Sequence, residues 1–156
     1  MRLRTAVRAL VLDPDDRIAL VRFEFPDRTV WAAPGGGLEE GEDDAAALDR
    51  ELREELGLEL LEPLGACVWV RTHVFAMSGW DGQTERFYLL RTSAFAIRPE
   101  LSPEELRAEG LGEVRWWTLA ELDAATGVLF APRRLPTLLR ELLRDGPGAE
   151  PVDVGM

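Results

Sequence analysis

The chain has no lysine and no asparagine, and only one cysteine, one histidine and one tyrosine. With Cys67 alone no internal disulfide can form, and a small buried apolar role is the expected one. All eighteen basic residues are arginine. That bias fits a high-GC genome and carries no functional weight. No apolar run approaches the roughly 18 residues of a membrane-crossing helix. The N-terminal stretch TAVRALVL is short, broken by Arg8 and followed at once by DPDD, so no secretory leader is expected. The expected setting is cytoplasmic. Positive charge is also scarce, with a net charge of -11. Two polyanions repel, which disfavours a nucleic-acid backbone as partner. A small phosphate substrate stays admissible if metal ions neutralise the encounter. Internal repeats and long linkers are lacking too.

What is present is a 156-residue chain, 46% apolar, enough for one globular core. The expectation is a single domain over residues 1–145, with a flexible Gly- and Pro-rich tail over 146–156. RTAVRALVLD and IALVRFEF read as strands of a hairpin around the DPDD turn. TVWAA reads as a short strand entering Pro34 and the glycines. Glu42 to Leu56 holds neither Gly nor Pro and is rich in helix formers, and Gly57 is a natural stop. LELLEPLGACVWVRTHVFAM suggests one or two strands, MSGWDGQT a turn or loop, and ERFYLLRTSAF a further strand. Residues 99–112 form a polar excursion with a helical turn at PEELRAE, and EVRWWTL is a last strand. Leu135, Leu138, Leu139, Leu142 and Leu143 recur at helical spacing near the C-terminus. The mixture predicts an α/β chain of α+β type, a mixed β-sheet between helices.

GGGLEEGEDDAAALDRELREELGL, residues 35–58, gathers nine acidic residues behind three glycines. On a helical wheel Ala45, Leu48, Leu52 and Leu56 form the core stripe. Glu51 and Glu55 lie beside that stripe, and Glu54 sits one step further round past Ala47. Like charges four residues apart cost a few tenths of a kcal/mol unless neutralised. A hard divalent cation with oxygen ligands would neutralise them. A solvated helix face with an Arg50–Glu54 ion pair explains the wheel equally well. The glycines favour a site, because Gly35, Gly36 and Gly37 let backbone approach a phosphate or a metal closely.

Read from Gly36, the segment runs Gly, five residues, Glu42, seven residues, then Arg50-Glu51-Leu52-Arg53-Glu54-Glu55-Leu56-Gly57-Leu58. This resembles the Nudix box of the Nudix (MutT-like) hydrolase superfamily at every fixed position. Ala33 departs from the larger apolar residue common before Pro34, which touches pocket shape and not chemistry. The resemblance implies an αβα sandwich with the box as loop–helix–loop, and Mg²⁺- or Mn²⁺-dependent hydrolysis of a nucleoside diphosphate linked to another group. By it, Glu54 and Glu55 are metal ligands, Glu51 is a further ligand or the general base, and the carbonyl of Gly35 or Gly36 completes the coordination. Arg50 orients the glutamates, and Glu42 holds the loop to the helix. Glu109, and after it Glu85, are the candidates for an additional ligand from outside the box.

Arg71 and His73 alternate onto one strand face and are candidates to meet a phosphate, with Phe75 beside them to stack on a base. Each also has an ordinary structural reading. A proline and a tyrosine that mark the ADP-ribose and dinucleoside-polyphosphate branches are absent; His73–Val74 and Phe75–Ala76 stand there instead. That favours a nucleoside triphosphate, or a modified one, cleaved to a monophosphate. The partners expected are a small nucleotide-type substrate, no nucleic-acid backbone and no membrane, with a homodimer open. The alternatives are a Nudix-fold nucleotide sensor, which usually lacks box glutamates, and an isoprenoid diphosphate isomerase, which needs a reactive cysteine unlike Cys67.

Overall fold

A computed structural model describes residues 1–93 and 95–155 of the chain. The strands are β1 (Leu3–Leu12), β2 (Ile18–Glu24), β3 (Thr29–Ala32), β4 (Gly35–Gly37), β5 (Cys67–Met77), β6 (Trp80–Arg91), β7 (Leu111–Trp117), β8 (Leu129–Ala131) and β9 (Val152–Asp153). The helices are α1 (Asp44–Leu56), α2 (Pro103–Ala108), α3 (Leu119–Ala124) and α4 (Leu135–Asp145). The main path through the sheet is β8-β3-β2-β1-β6-β5-β9, with β4 paired to β1 and β7 to β2. It is mixed, as expected: β1 runs parallel to β6, while β5 and β6 are antiparallel.

Both faces of β1 are covered, which is why Ala9, Leu10, Val11 and Leu12 are apolar without alternation. Val7, Ala9 and Val11 pack with Leu48, Leu52 and Leu56 of α1. Leu10 and Leu12 face the other way, onto Leu135, Leu138, Leu139 and Leu142 of α4. Each buried leucine contributes about 2 kcal/mol through lost water contact. Helices therefore close the sheet from opposite sides, and α1 is held flat against its middle. No helix among the described residues is long and apolar enough to cross a membrane.

Several local expectations are corrected. Strands β1 and β2 meet as a hairpin only at Leu12 and Ile18; the long partner of β1 is β6, over ten residues. The wheel placed Ala45 in the stripe, yet Ala47 is fully buried and Ala45 only half-buried. MSGWDGQT is not a loop. It contributes a tight turn at Ser78–Gly79 and the start of β6, with Gly79 at φ 78°. ERFYLLRTSAF stays in strand only to Arg91, and its Ala94 lies outside the described residues. Val152 and Asp153 pair in parallel with Trp69 and Val70. Trp116 and Trp117 take opposite faces, one against Phe95 and the other against Trp31 and Phe130.

Candidate active site

The acid-bearing helix is fixed at both ends. The Asp43 side chain caps its start by accepting from the Ala46 amide at 2.8 Å. At its end Gly57, at φ 72°, donates to the Arg53 carbonyl. Amides of Arg98, Glu100 and Leu101 then donate to the carbonyls of Leu56, Arg53 and Glu54. The last turn, which carries Glu54 and Glu55, is thereby tied down rather than frayed.

The three glycines form strand β4 against Ala6, Val7 and Arg8, not a loop. Contacts explain their identity. A Cβ on Gly35 would strike the Val7 carbonyl, and its φ of 146° already excludes most side chains. A Cβ on Gly36 would lie 2.5 Å from Glu51 Oε1, and one on Gly37 would fall on the Arg4 guanidinium. The glycine strand is the floor on which Glu51 rests.

Arg50 organises the entrance. Its Nε and Nη2 grip both oxygens of Glu42 at 2.9 Å each, Nη1 reaches Glu51 Oε1 at 2.8 Å, and Nη2 reaches the Gly37 carbonyl at 3.1 Å. The bidentate clamp holds the Glu42 carboxyl down at about 2. The Arg50–Glu54 pair foreseen from the wheel is the loosest of the set at 3.8 Å.

Glu51 and Glu55 are 8% and 1% exposed. The Gly35 amide donates to Glu55 Oε2 at 3.1 Å. Burial first, and then the neighbouring Glu51, push the Glu55 carboxyl well above the usual range. Burial and Glu51 raise Glu54 and Glu109 in the same order. Glu109 is the C-cap of α2, whose start is locked by a capping box between Ser102 and Glu105. From there it lines one cavity of about 410 Å³ with Glu51, Glu55, Arg50, Gly35 and Gly36. Glu54 does not line that cavity, though Glu51 and Glu109 are near enough to raise its carboxyl.

These donors suit a hard divalent cation: they are carboxylate oxygens gathered in one cavity. Among the described residues no three acidic, cysteine or histidine side chains already converge as a closed cage. One Glu51 oxygen is turned to Arg50 and one Glu55 oxygen to the Gly35 amide. The acids are gathered but their oxygens are held by protein donors.

Glu85 is not in that cavity. It lies on β6 between Arg8 of β1 and Arg71 of β5, accepting from Arg8 Nε at 2.7 Å and from Arg71 Nη1 at 2.5 Å. Burial alone would raise its carboxyl, but Arg8 and Arg71 together hold it below the ordinary value. Arg71, His73 and Phe75 line a second cavity of about 560 Å³ with Glu85, Phe23 and Phe25. Arg8 and Phe23 line both cavities and join them.

Arg4, Arg8 and Phe23 are the members that sequence reasoning missed. Arg8 donates to the Gly35 carbonyl at 2.9 Å and stacks over Phe23 at 5.3 Å. Its signal was available, since a lone arginine in an apolar strand needs a buried partner.

Comparison with known proteins follows from this geometry. The NUDIX domain family matches residues 2–138. An RNA pyrophosphohydrolase of Sulfurovum sp. (strain NBC37-1) is 32% identical over 77% of this chain and 78% of its own length. A nucleoside triphosphatase NudI of Enterobacter sp. (strain 638) is 41% identical over 47% of the chain, and the chain spans about half of that protein, 51%. In fold, the crystal structure of MutT NUDIX hydrolase from Burkholderia pseudomallei superposes with a TM-score of 0.63 at 22% identity, covering 91% of this chain and 99% of that one.

Proposed function

The chain belongs to the NUDIX domain family of hydrolases, and from that premise we propose that it cleaves the diphosphate bond of a small nucleotide, with Mg²⁺ or Mn²⁺ held by Glu51, Glu54 and Glu55. The observation that carries this reading is the pairing of Glu51 with Glu55, both buried and unequally served by cations, beneath a glycine strand. When bound, the metal supplies charge neutralisation for the diphosphate and Lewis-acid activation of water.

The chain's own residues do the rest. Glu51, Glu54 and Glu55 offer the ligand oxygens, Glu109 adds one from α2, and the carbonyl of Gly35 or Gly36 completes the set. Arg50 keeps Glu51 and Glu42 in place and so fixes the orientation of the ligands. Glu51 or Glu54 takes the proton from the attacking water. For Glu54, burial and then the charge of Glu51 raise the carboxyl above its ordinary value, the direction that favours proton uptake. Arg4 lines the same cavity and meets the phosphates as they enter. Glu85 belongs to the wall and not to the ligand set, because both of its oxygens already serve arginines.

The second cavity takes the nucleoside. Phe23, Phe25 and Phe75 offer ring faces for a base, and Arg71 and His73 offer polar contacts. The substrate favoured is a nucleoside triphosphate or a modified one, cleaved to a monophosphate. The name of one curated relative, nucleoside triphosphatase, is in keeping with that class, while that of the other, RNA pyrophosphohydrolase, names a larger substrate. A cytoplasmic setting and one domain over residues 1–145 belong to the same proposal. The test is a screen of nucleoside triphosphates, nucleotide sugars, ADP-ribose and dinucleoside polyphosphates with either metal, followed by product identification. Tight binding without cleavage of any of them would replace the hydrolase reading by that of a sensor.

A further inference from the structure

The joined cavities do not end at the aromatic one. A third, of about 270 Å³, shares Arg28, Val30, Arg71, His73 and Ala131 with it and adds Arg133. The balance of charge shifts along this cleft. The first cavity mixes three arginines, Arg4, Arg8 and Arg50, with four glutamates, Glu39, Glu51, Glu55 and Glu109. The third is lined by three arginines and one histidine, and by no carboxylate.

The arginines are also poorly neutralised. Glu85 is shared between Arg71 and Arg8. Arg71 is 8% exposed, and its Nε is buried with no hydrogen-bond partner. Its Nη2 faces His73 Nδ1 at 3.5 Å. Arg28 touches only the neighbouring Asp27, which is 73% exposed, and the Phe25 ring. Arg133 forms no ion pair among the described residues. Burial, and then the field of Arg71, push the His73 imidazole below its usual value, against a smaller opposing effect of Glu85. Its ring nitrogens can serve a hydroxyl or a phosphate oxygen beside the guanidinium groups.

We propose that Arg28, Arg71 and Arg133, with His73, form a binding site for a second phosphate of the substrate, one nucleoside away from the diphosphate that is cleaved. The inference rests on the reading of the acidic cavity as the hydrolytic site. Guanidinium groups bind phosphate through paired, planar hydrogen bonds, and Arg28 and Arg133 bring guanidinium groups to this cavity that no buried acid engages. The order of the groups follows from the contacts. From the acids to this site the chain of partners is Glu55, Gly35, Arg8, Glu85, Arg71 and His73, and the aromatic cavity lies alongside. A phosphate on the far side of a nucleoside is either a terminal monoester on the ribose or a diester leading to a next nucleotide. The site's chemistry is common to both.

The test has two parts. Calorimetry on metal-free protein compares adenosine 3′,5′-bisphosphate with AMP. The bisphosphate is expected to bind about tenfold tighter or more, a preference that falls to about twofold in Arg133→Ala and Arg28→Ala and returns in part in Arg133→Lys. Equal affinity for the two ligands in the wild type, or a preference that survives both alanine variants, overturns the proposal. Kinetics then compare ATP, adenosine 3′-phosphate 5′-triphosphate and a 5′-triphosphorylated dinucleotide by kcat/KM. A gain for the monoester, the diester or both supports the site and identifies its source. No gain for either overturns it as a substrate site. If no triphosphate is cleaved while the bisphosphate preference holds, the hydrolytic reading fails and the phosphate site stands.

Discussion

Replacing Glu55 by Gln separates stability from activity at the acid cluster. Glu55 is 1% exposed, and its Oε2 accepts from the Gly35 amide. The Gln carbonyl can keep that bond, and its amide can donate to Glu51, where two carboxylates now face each other. Without metal the wild type carries a buried like-charge pair wherever the pH exceeds the raised folded value of Glu55, and Gln relieves it. Relief of a buried charge of this kind is worth about 1–3 kcal/mol. In a chain of this size each kcal/mol moves Tm by about 2–4 °C, so a rise of roughly 2–12 °C is expected in EDTA. The sign of the pH dependence follows from the raised Glu55 carboxyl. The folded state binds the proton more tightly than the unfolded one. Wild-type stability therefore falls as pH rises from the unfolded value through the folded one, and the advantage of Gln grows over that range. Saturating metal reverses the order, since a hundredfold excess over Kd stabilises the wild type by about 2.7 kcal/mol. Differential scanning calorimetry at pH 8, with and without Mn²⁺, measures both effects. A Gln variant that melts below the wild type in EDTA refutes the reasoning.

Gly36→Ala is expected to fold within about 1 kcal/mol of the wild type, because the new Cβ meets only the mobile end of Glu51, yet to lose about a hundredfold or more in kcat as Glu51 swings away. Gly35→Ala meets the Val7 backbone at positive φ and is expected to fail to fold stably, which denaturant titration of the pair will show. Glu85→Gln leaves Arg8 and Arg71 facing each other across one neutral side chain, and a loss of about 3 kcal/mol in urea unfolding is expected. Asp44 accepts from Arg86 and Tyr88, and Arg86 first, with Tyr88, holds its carboxyl low in the folded state. Its contribution is present above the unfolded pKa and lost as pH falls through the folded one. Asp44→Asn is expected to cost about 1–2 kcal/mol at pH 7 and almost nothing in strong acid, by urea titration across pH.

Much of the site was legible because its logic is local. The helix declares itself through thirteen residues of helix formers and its glycine stop, and the spacing of Glu51, Glu54 and Glu55 places them at the edge of a buried stripe. The glycine run was misread as a loop because the reason for glycine lies across the sheet, in Val7, Arg4 and Glu51. Glu85 looked like a free carboxylate until the register set Arg71 opposite it and brought β1, with Arg8, to its other side. Neither contact is visible in local periodicity, since the partners are 14 and 77 residues away. The start of β6 was lost for a related reason: Trp80 to Gln83 look like turn chemistry, yet pairing with β1 and β5 keeps them in strand.

The most direct measurement is turnover of a nucleoside triphosphate by protein stripped with EDTA, then restored with Mg²⁺ or Mn²⁺, with phosphorus NMR to identify products. Metal-dependent catalysis at the acid cluster predicts no turnover without metal, recovery on its return to give a monophosphate and pyrophosphate, and no recovery in Glu54→Gln or Glu55→Gln. Undiminished cleavage in EDTA, or full recovery in those variants, would contradict it.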